Sequence, residues 1–223
     1  NEKEKFSYFI MLIKNLVILW GWGRNDRSFQ GLIYTAPPGW SIYPIQLTDL
    51  LPDGKIEERM NAVGQFLKKH KLQKASFLGH SVGGALALEF AYHYPEKVER
   101  LFLIDSEGVH SPGPGISDVM KAFFNSFRKK EGLIAFAKYF IRLARKPVLH
   151  IKLGRFAHHI DLQKEAKKVK VPTVVMWGEK DGITPLWQGK VLHKLIPKSR
   201  MIIFKDQGHD WIIYNPELFW KNI

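Results

Sequence analysis

Short, continuous apolar runs punctuate the chain and alternate with longer segments whose apolar residues recur every three to four positions. Runs of this length, bounded by polar turns, are typical of strands buried on both faces of a mostly parallel sheet. The pattern therefore predicts an α/β fold, with a central sheet flanked by helices. The predicted strands are LVILW (16–20), ASFLG (75–79), RLFLID (100–105), TVVMWG (173–178) and RMIIF (200–204).

Three segments between these runs have helical periodicity. They span Ile56 to His70, Val82 to Tyr94 and Leu186 to Ile196. Pro95 and Pro197 follow the last two, and proline ends a helix because it has no backbone donor.

The most hydrophobic stretch runs from Phe6 to Trp20 and is interrupted by Lys14 and Asn15. It is shorter than the roughly 20 apolar residues that a membrane-spanning helix needs. We expect two buried, strand-like segments joined by a tight turn at Lys14–Asn15. A membrane segment is the alternative.

The alternation of strand and helix patterns stops between Ser111 and Val171. This stretch opens with SPGPG, a loop composition, and continues with apolar residues at helical spacing. We expect a helical lid (111–171) inserted between a first core part (1–110) and a second core part (172–223). Lys121 to Lys170 holds fourteen Lys or Arg against three acidic residues, so +11 of the chain's net charge of +13 lies in the lid.

Composition limits the chemistry as well as the fold. With 223 residues, 45% of them hydrophobic, the chain is long enough for one packed domain. It has no cysteine, which excludes disulfides, thiolate metal sites and a cysteine nucleophile. This suits a reducing cytoplasm, and we expect a cytoplasmic protein.

The run ASFLG leads into Gly79-His80-Ser81-Val82-Gly83 and then into a predicted helix. A chain that turns from strand to helix at one residue strains that residue's backbone, which requires neighbours almost without side chains. Gly79 and Gly83 supply the space, and the turn would expose the Ser81 hydroxyl beside the first N–H groups of the helix. The alternative is a glycine-rich turn with an incidental serine.

This pentapeptide resembles the G-x-S-x-G nucleophile elbow of the α/β-hydrolase fold superfamily. The resemblance implies a catalytic acid and a histidine, each after a later strand. GEKDGITP follows TVVMW and makes Asp181 the acid, and KDQGHDW follows RMIIF and makes His209 the base. Each residue alone could be a solvated loop residue, but three matches in the family's order, each just past a strand, favour a triad.

The same resemblance implies two donors for an oxyanion. One is the N–H of Val82, directly after the elbow serine, and the other is the N–H of Trp22 in the loop Trp20-Gly21-Trp22-Gly23. The family commonly has histidine where this chain has Trp20. Trp20 and Trp22 could equally be core aromatics. The chain also begins close to LVILW, the predicted strand that precedes this loop, so we expect the family's N-terminal strands to be reduced.

Other polar residues have weaker signals. Asp105 ends a predicted strand and could be an alternative acid, although a structural turn is the simpler interpretation. His80 could line the substrate pocket or pack at the edge of the helix. His158 and His159 lack a metal-ligand spacing, so we predict no metal, and no phosphate-binding or dinucleotide-binding glycine motif is present, so we predict no cofactor.

A serine elbow implies acyl transfer to water, and we expect a carboxylesterase that acts on a small-molecule ester. Phe123 and Phe127 of the lid, with Trp20 and His80, are the expected substrate-binding residues. The alternatives are a lipase or thioesterase for anionic or membrane-associated substrates, or a ligand receptor with little turnover. The basic lid could bind an anionic membrane surface peripherally. No nucleic acid is expected, because no recognised binding module accompanies the basic residues.

Overall fold

The computed structural model describes residues 13–21, 26–46, 55–110 and 159–223, together with Val148. Of Asp26 and Arg27 it describes the backbone alone.

Within the described residues, six parallel strands form one sheet in the order β2-β1-β3-β4-β5-β6. The predicted parallel α/β architecture is therefore confirmed, and β3 and β4 occupy its centre. The strands are β1 (Lys14–Leu19), β2 (Trp40–Ile45), β3 (Ala75–His80), β4 (Val98–Ile104), β5 (Thr173–Gly178) and β6 (Arg200–Phe204).

The tight turn predicted at Lys14–Asn15 is wrong. Both residues belong to β1, where they pair with Trp40 and Ser41 of β2. Lys14 is exposed at the start of the strand, and its ammonium lies 5.4 Å from the centre of the Trp40 ring. Two polar residues therefore mark the beginning of a strand, not a break between two strands.

The strand β2 was not predicted from the sequence. Its residues, WSIYPI, mix polar and apolar side chains, and most of them are half-buried. Pro44 cannot donate a backbone hydrogen bond, which a strand tolerates at the edge of a sheet. The position of β2 at one end of the strand order meets that condition.

Helices cover both faces of the sheet. The three predicted helices are present, each one residue shorter at its C-terminal end than expected, and four short α-helices add to them within the described ranges. The seven are α1 (Gln30–Tyr34), α2 (Ile56–Lys69), α3 (Val82–His93), α4 (Gln163–Ala166), α5 (Leu186–Leu195), α6 (Trp211–Tyr214) and α7 (Glu217–Trp220).

Alternate residues of each strand enter two separate cores. Phe77 of β3 packs with residues of α2, α3 and α5 on one face. Leu78, its neighbour, packs with Leu32 of α1, Trp211 of α6 and Phe219 of α7 on the other face. Burial on both faces explains why the central strands have continuous apolar runs.

The register of the sheet aligns the carboxyl ends of its strands. Leu19 pairs with Gly79, His80 with Ile104, and Ile104 with Met176. The residues that follow β1, β3, β4 and β5 therefore lie along one edge, where ligands of open parallel sheets bind.

Most of the predicted lid, residues 111–147 and 149–158, lies outside the described residues, as does the segment 1–12. The last part of the predicted lid includes α4, whose Ala166 is buried in the core. None of the helices within the described ranges is both long and apolar enough to cross a membrane.

Candidate active site

Ser81 joins β3 to α3 in a backbone conformation with φ of 57° and ψ of −126°. Three backbone hydrogen bonds hold it there. Its N–H donates to the carbonyl oxygen of Ile104 at 3.1 Å, and its own carbonyl accepts from the N–H groups of Gly84 and Glu107 at 2.9 and 3.0 Å. The strand-to-helix turn expected at Ser81 is therefore present, with the helix N-terminus directly beside it.

The glycines around Ser81 are required by close backbone packing. A Cβ atom on Gly79 would lie 2.5 Å from the Cα of Gly84. One on Gly83 would overlap the carbonyl oxygen of Leu19 and lie 2.6 Å from that of Trp20. Because backbone atoms cannot move aside like the end of a side chain, any larger residue would displace the elbow from β1.

The chain after β1 passes directly over the elbow. A Cβ atom on Gly21 would lie 2.9 Å from the Cβ of Ser81. Trp22, the predicted second oxyanion donor, lies outside the described residues. Trp20 is fully buried and stacks on Phe29, with 3.7 Å between ring centres.

The loop after β5 presents Asp181 to His209, which follows β6. The Nδ1 atom of His209 lies 2.8 Å from Oδ2 of Asp181. The other oxygen, Oδ1, accepts hydrogen bonds from the N–H groups of Ile183 and Thr184 at 2.8 and 3.0 Å. The carboxylate is thus oriented by its own loop, and it fixes the proton of His209 on Nδ1, which leaves Nε2 able to accept a proton.

Opposing influences act on the Asp181 carboxyl. Burial by itself raises its pKa, but hydrogen bonds from His209, Thr184 and Ile183, together with the charge of His209, hold the pKa below its ordinary value. Asp181 is therefore ionised at neutral pH, as the partner of an imidazolium must be.

Thr184 connects three groups of this network. Its hydroxyl lies 2.7 Å from Oδ2 of Asp181, 2.9 Å from the carbonyl oxygen of Asp105 and 3.1 Å from Nδ1 of His209. The hydroxyl has a single proton and donates it to one acceptor at a time. Thr184 therefore donates either to the Asp181 carboxylate or to the Asp105 carbonyl, just after β4.

The side chain of His80, in the elbow, contacts the loop that contains His209. Its ring is almost completely buried, and Nε2 lies 3.0 Å from the carbonyl oxygen of His209. The two imidazole rings are 4.8 Å apart between centres. Since a carbonyl only accepts, His80 carries its proton on Nε2 and donates it, which positions His209 beside the elbow.

Two further carboxyl groups lie near His209. Burial raises the pKa of Glu107 to about 7, with the positive charge of His209 lowering it and the negative charge of Asp181 raising it further. Burial, and then the charge of Asp181, raise the pKa of Asp105 well above its ordinary value. The site thus combines Asp181, whose pKa is lowered, with Asp105, whose pKa is raised, and with Glu107, which titrates near neutrality.

His80, Asp105 and His209 also form a compact group, with one ligand-type atom of each within 4.8 Å of the others. Two ligands of one zinc ion lie no more than roughly 4 Å apart, because each bond is about 2.0–2.1 Å long. Since both histidines also have hydrogen-bonding roles here, we assign the group to the hydrogen-bond network around His209.

The structure brings together five of the residues expected to form the site: Ser81, Asp181, His209, Val82 and His80. Phe123, Phe127 and Trp22 lie outside the described residues. The roles of Thr184 and Glu107 were missed by sequence analysis. Asp181 accepts from N–H groups two and three residues later, a common local pattern of aspartate, but this pattern does not indicate the contacts of the Thr184 hydroxyl.

A parallel sheet covered by helices on both faces, with a strained serine between strand and helix and an Asp–His pair at the same edge, is the architecture of α/β hydrolases. The family model described as alpha/beta hydrolase fold matches residues 37–160, more than half of the chain. The chain therefore belongs to the α/β-hydrolase fold family.

Relatives in this family have ester-hydrolase names. The chain is 23% identical over 231 residues to a pimeloyl-[acyl-carrier protein] methyl ester esterase from Vibrio vulnificus, covering 92% of this chain and 91% of the relative. It is 26% identical over 227 residues to Lipase 1 of Psychrobacter immobilis, covering 87% and 70%. A thermophilic esterase from Thermogutta terrifontis has a similar fold, with a TM-score of 0.71, 18% identity and coverage of 93% of this chain and 87% of that one.

Proposed function

We propose that the protein is a serine-dependent carboxylic ester hydrolase. The observation that carries the proposal is the hydrogen bond of 2.8 Å between His209 and Asp181, at the same sheet edge as the strained Ser81. A serine needs a base to accept its proton and an acid to orient that base, and these three residues supply the three roles. The names of the relatives, esterases and lipases, support esters as the substrate class.

In the first half of the proposed reaction, the Ser81 hydroxyl attacks the ester carbonyl while its proton passes to Nε2 of His209. The charge on the carbonyl oxygen is held by the N–H groups of Val82 and, as the sequence predicts, Trp22. His209 then gives its proton to the departing alcohol, which leaves an acyl group on Ser81.

The second half repeats the steps with water. His209 accepts a proton from a water molecule as it attacks the acyl group, and the collapse of this intermediate returns the proton to Ser81 and releases the acid. Asp181 stabilises the imidazolium in both halves without taking its proton.

The proposal is tested by hydrolysis of p-nitrophenyl butyrate by the wild-type protein and by Ser81→Ala. We expect wild-type turnover with a burst of p-nitrophenol from acyl-enzyme formation, and a loss of at least about 10³-fold in the variant. The matched control is Ser76→Ala, a buried serine at the opposite end of β3. It should retain activity within about twofold.

Two results would contradict the proposal. Activity that survives Ser81→Ala would assign the chemistry to another group. A folded wild-type protein that is inert towards p-nitrophenyl esters from acetyl to palmitoyl, and towards thioesters, would instead favour a ligand receptor.

A lipase is the second candidate, and the similarity to Lipase 1 favours it. The same ester panel separates the two, because an esterase prefers short acyl chains in solution and a lipase prefers long chains presented at an interface. Vesicles with and without anionic phospholipid, tested at low and high salt, show whether the basic segment 121–170 contributes to substrate binding.

A further inference from the structure

A groove that we call the basic groove lies at the amino ends of three adjacent strands, β4, β5 and β6. It has a volume of about 870 Å³, and its lining comprises residues 92–93, 95, 167–172 and 197–198, which precede these strands. Ser81 and His209 follow strands at the opposite, carboxyl edge of the same sheet. The basic groove is therefore separate from the candidate active site, and the proposed reaction does not use it.

Part of the groove lining is apolar. Val169 and Val171 are buried, and the ring of Tyr92 is half-buried. Three prolines add to this surface: Pro95, Pro172 and Pro197. Because apolar surface is more stable out of contact with water, this lining favours a ligand that has an apolar part.

Four lysines give the same groove a positive charge. Lys168 and Lys170 are exposed and alternate with the two buried valines, so the valines anchor the segment while the lysines extend from it. Lys167 precedes them, and Lys198 comes from the separate segment before β6. The described lining includes no acidic residue. An anionic ligand would therefore meet positive charge from two segments of the chain.

We propose that the basic groove binds a single-chain amphiphile with an anionic head group, taken up as a free molecule. The apolar lining contacts the chain, and the lysines contact the head group. The volume falls within the range of roughly 300–1,000 Å³ that is usual for small-molecule sites. A concave groove admits one such molecule, whereas a membrane surface is broad and does not enter it. The proposal does not depend on the proposed function of Ser81.

The experiment measures how fast lysines of the folded, full chain are acetylated by sulfo-N-hydroxysuccinimide acetate, with and without decanoate or decyl phosphate. Mass spectrometry gives the rate at each lysine. We expect Lys168, Lys170 and Lys198 to react about threefold more slowly at a ligand concentration of twice the Kd. Lys190 and Lys205, which are exposed and lie outside the groove, should react as before. Protection by one ligand or by both identifies the head group, and protection by neither would overturn the proposal.

Two further ligands separate the head group from the chain. Acetate at the same ionic strength has a carboxylate without the chain, and decyl glucoside has the same chain with a neutral head group. Neither should protect the lysines. Equal protection by either ligand would contradict the proposal, because one part of the amphiphile would then be sufficient. Between octanoate and decanoate, affinity should rise by up to about fourfold per methylene group.

A pair of charge-matched variants tests the lysines themselves. The Kd for decanoate is taken from the protection of Lys198, which both variants retain, so binding elsewhere on the protein does not enter the measurement. Lys168→Gln/Lys170→Gln should raise this Kd on the order of 3- to 30-fold, as expected for two partly exposed ion pairs. Lys190→Gln/Lys205→Gln should leave it within about 1.5-fold. Equal values in the two variants would overturn the assignment.

Two other outcomes would replace the proposal by a different explanation. Vesicles of phosphatidylglycerol that protect the groove lysines when monomeric amphiphiles do not would favour a membrane surface. Lysines that only stabilise the nearby C-terminal ends of helices would lower the free energy of unfolding when substituted, with no protection by any ligand. Neither outcome bears on Ser81, whose activity is tested separately.

Discussion

At the scale of single residues, the elbow shows how an unfavourable conformation is retained. A non-glycine residue with φ near 57° costs on the order of 1–3 kcal/mol. The Ser81 backbone is fixed by hydrogen bonds to β4, to α3 and to the segment after β4. The glycines on either side let β1 and α3 approach closely enough to hold it. The backbone of Ser81, and with it the hydroxyl group, is therefore positioned by backbone packing.

Substitution of Gly83 tests this dependence on packing. Gly83→Ala should lower the free energy of unfolding by at least about 2 kcal/mol, because its Cβ meets backbone carbonyls that cannot move aside. It should also lower kcat by displacing Ser81. Gly64→Ala in α2 is the matched control, since nothing lies within 4 Å of its added Cβ. This control should gain about 0.5–1 kcal/mol. Urea unfolding measures the free energy of unfolding of both variants. Equal changes in Gly83→Ala and Gly64→Ala would contradict the dependence on close packing.

Glu107 makes stability depend on pH. Its pKa is about 4.5 in the unfolded chain and about 7 in the folded one, so between these values the folded protein binds the extra proton. The free energy of unfolding should therefore fall as pH rises from about 4.5 to 7, and by up to about 3 kcal/mol from this group. Glu107→Gln should remove that fall. The stability of the variant relative to the wild type should therefore be higher at pH 8 than at pH 4.5.

The measurement for Glu107 is urea unfolding of the wild type and the variant across this pH range. Glu99→Gln is the matched control, because Glu99 is an exposed carboxylate on β4. If the difference in free energy of unfolding between the wild type and Glu107→Gln does not change with pH, the Glu107 carboxyl is solvated in the folded protein.

At the scale of elements, α3 is the central helix, and nearly all of its residues are buried. One of them is Glu89, whose carboxylate pairs with the guanidinium of Arg59 on α2 at 3.2 Å. Both side chains are less than 10% exposed. Because burial of a charge without an opposite charge nearby is unfavourable, the pair favours the packing of α2 against α3.

Removing one partner of this ion pair should lower the free energy of unfolding strongly, whereas replacing both partners by apolar residues should lower it much less. Glu89→Gln should destabilise by about 3–5 kcal/mol, since it removes the carboxylate that pairs with the buried Arg59 guanidinium. Arg59→Met/Glu89→Leu should cost less than Glu89→Gln alone. Lys180→Gln is the control, because its partner Asp206 and Lys180 itself are both largely exposed, and it should change little. A double variant less stable than Glu89→Gln would contradict this account.

The elements found by sequence analysis are those with a strong local signal. The runs of β3, β4 and β5 are continuous because both faces are buried, and α2, α3 and α5 are long enough for their periodicity to be visible. The mixed sequence of β2 and the four- or five-residue helices α1, α6 and α7 have no such signal. Their form depends on tertiary packing, as with Trp220, whose indole donates to the carbonyl of Leu32 188 residues away.

The residues of the candidate site also differ in how strong a local sequence signal they have. Ser81, Asp181 and His209 were predicted because each occupies a short motif just after an apolar run. The contributions of Thr184, Glu107 and Asp105 depend on burial and on neighbours from other loops, which no local pattern records. Asp105 was interpreted as a structural turn, and its carboxyl proves to lie beside His209 only in the folded chain.

At the scale of the whole molecule, the parallel sheet collects groups that are distant in the chain. Asp181 and His209 are 28 residues apart, and Ser81 is a further 100 residues away from Asp181, yet all three follow strands that end at one edge. The opposite edge has a groove of about 870 Å³ whose lining includes Lys167, Lys168, Lys170 and Lys198. This groove lies at the amino ends of the strands, remote from Ser81, and we assign it no part in hydrolysis.

We propose above all that Ser81 is a nucleophile activated by His209. The most direct measurement is covalent capture with a fluorophosphonate probe, followed by mass spectrometry of the peptide that contains Ser81. We expect one probe per chain on Ser81, no labelling of Ser81→Ala, and labelling of His209→Gln slower by at least about 10³-fold. A probe attached to another residue, or a folded wild-type protein that does not react, would contradict it.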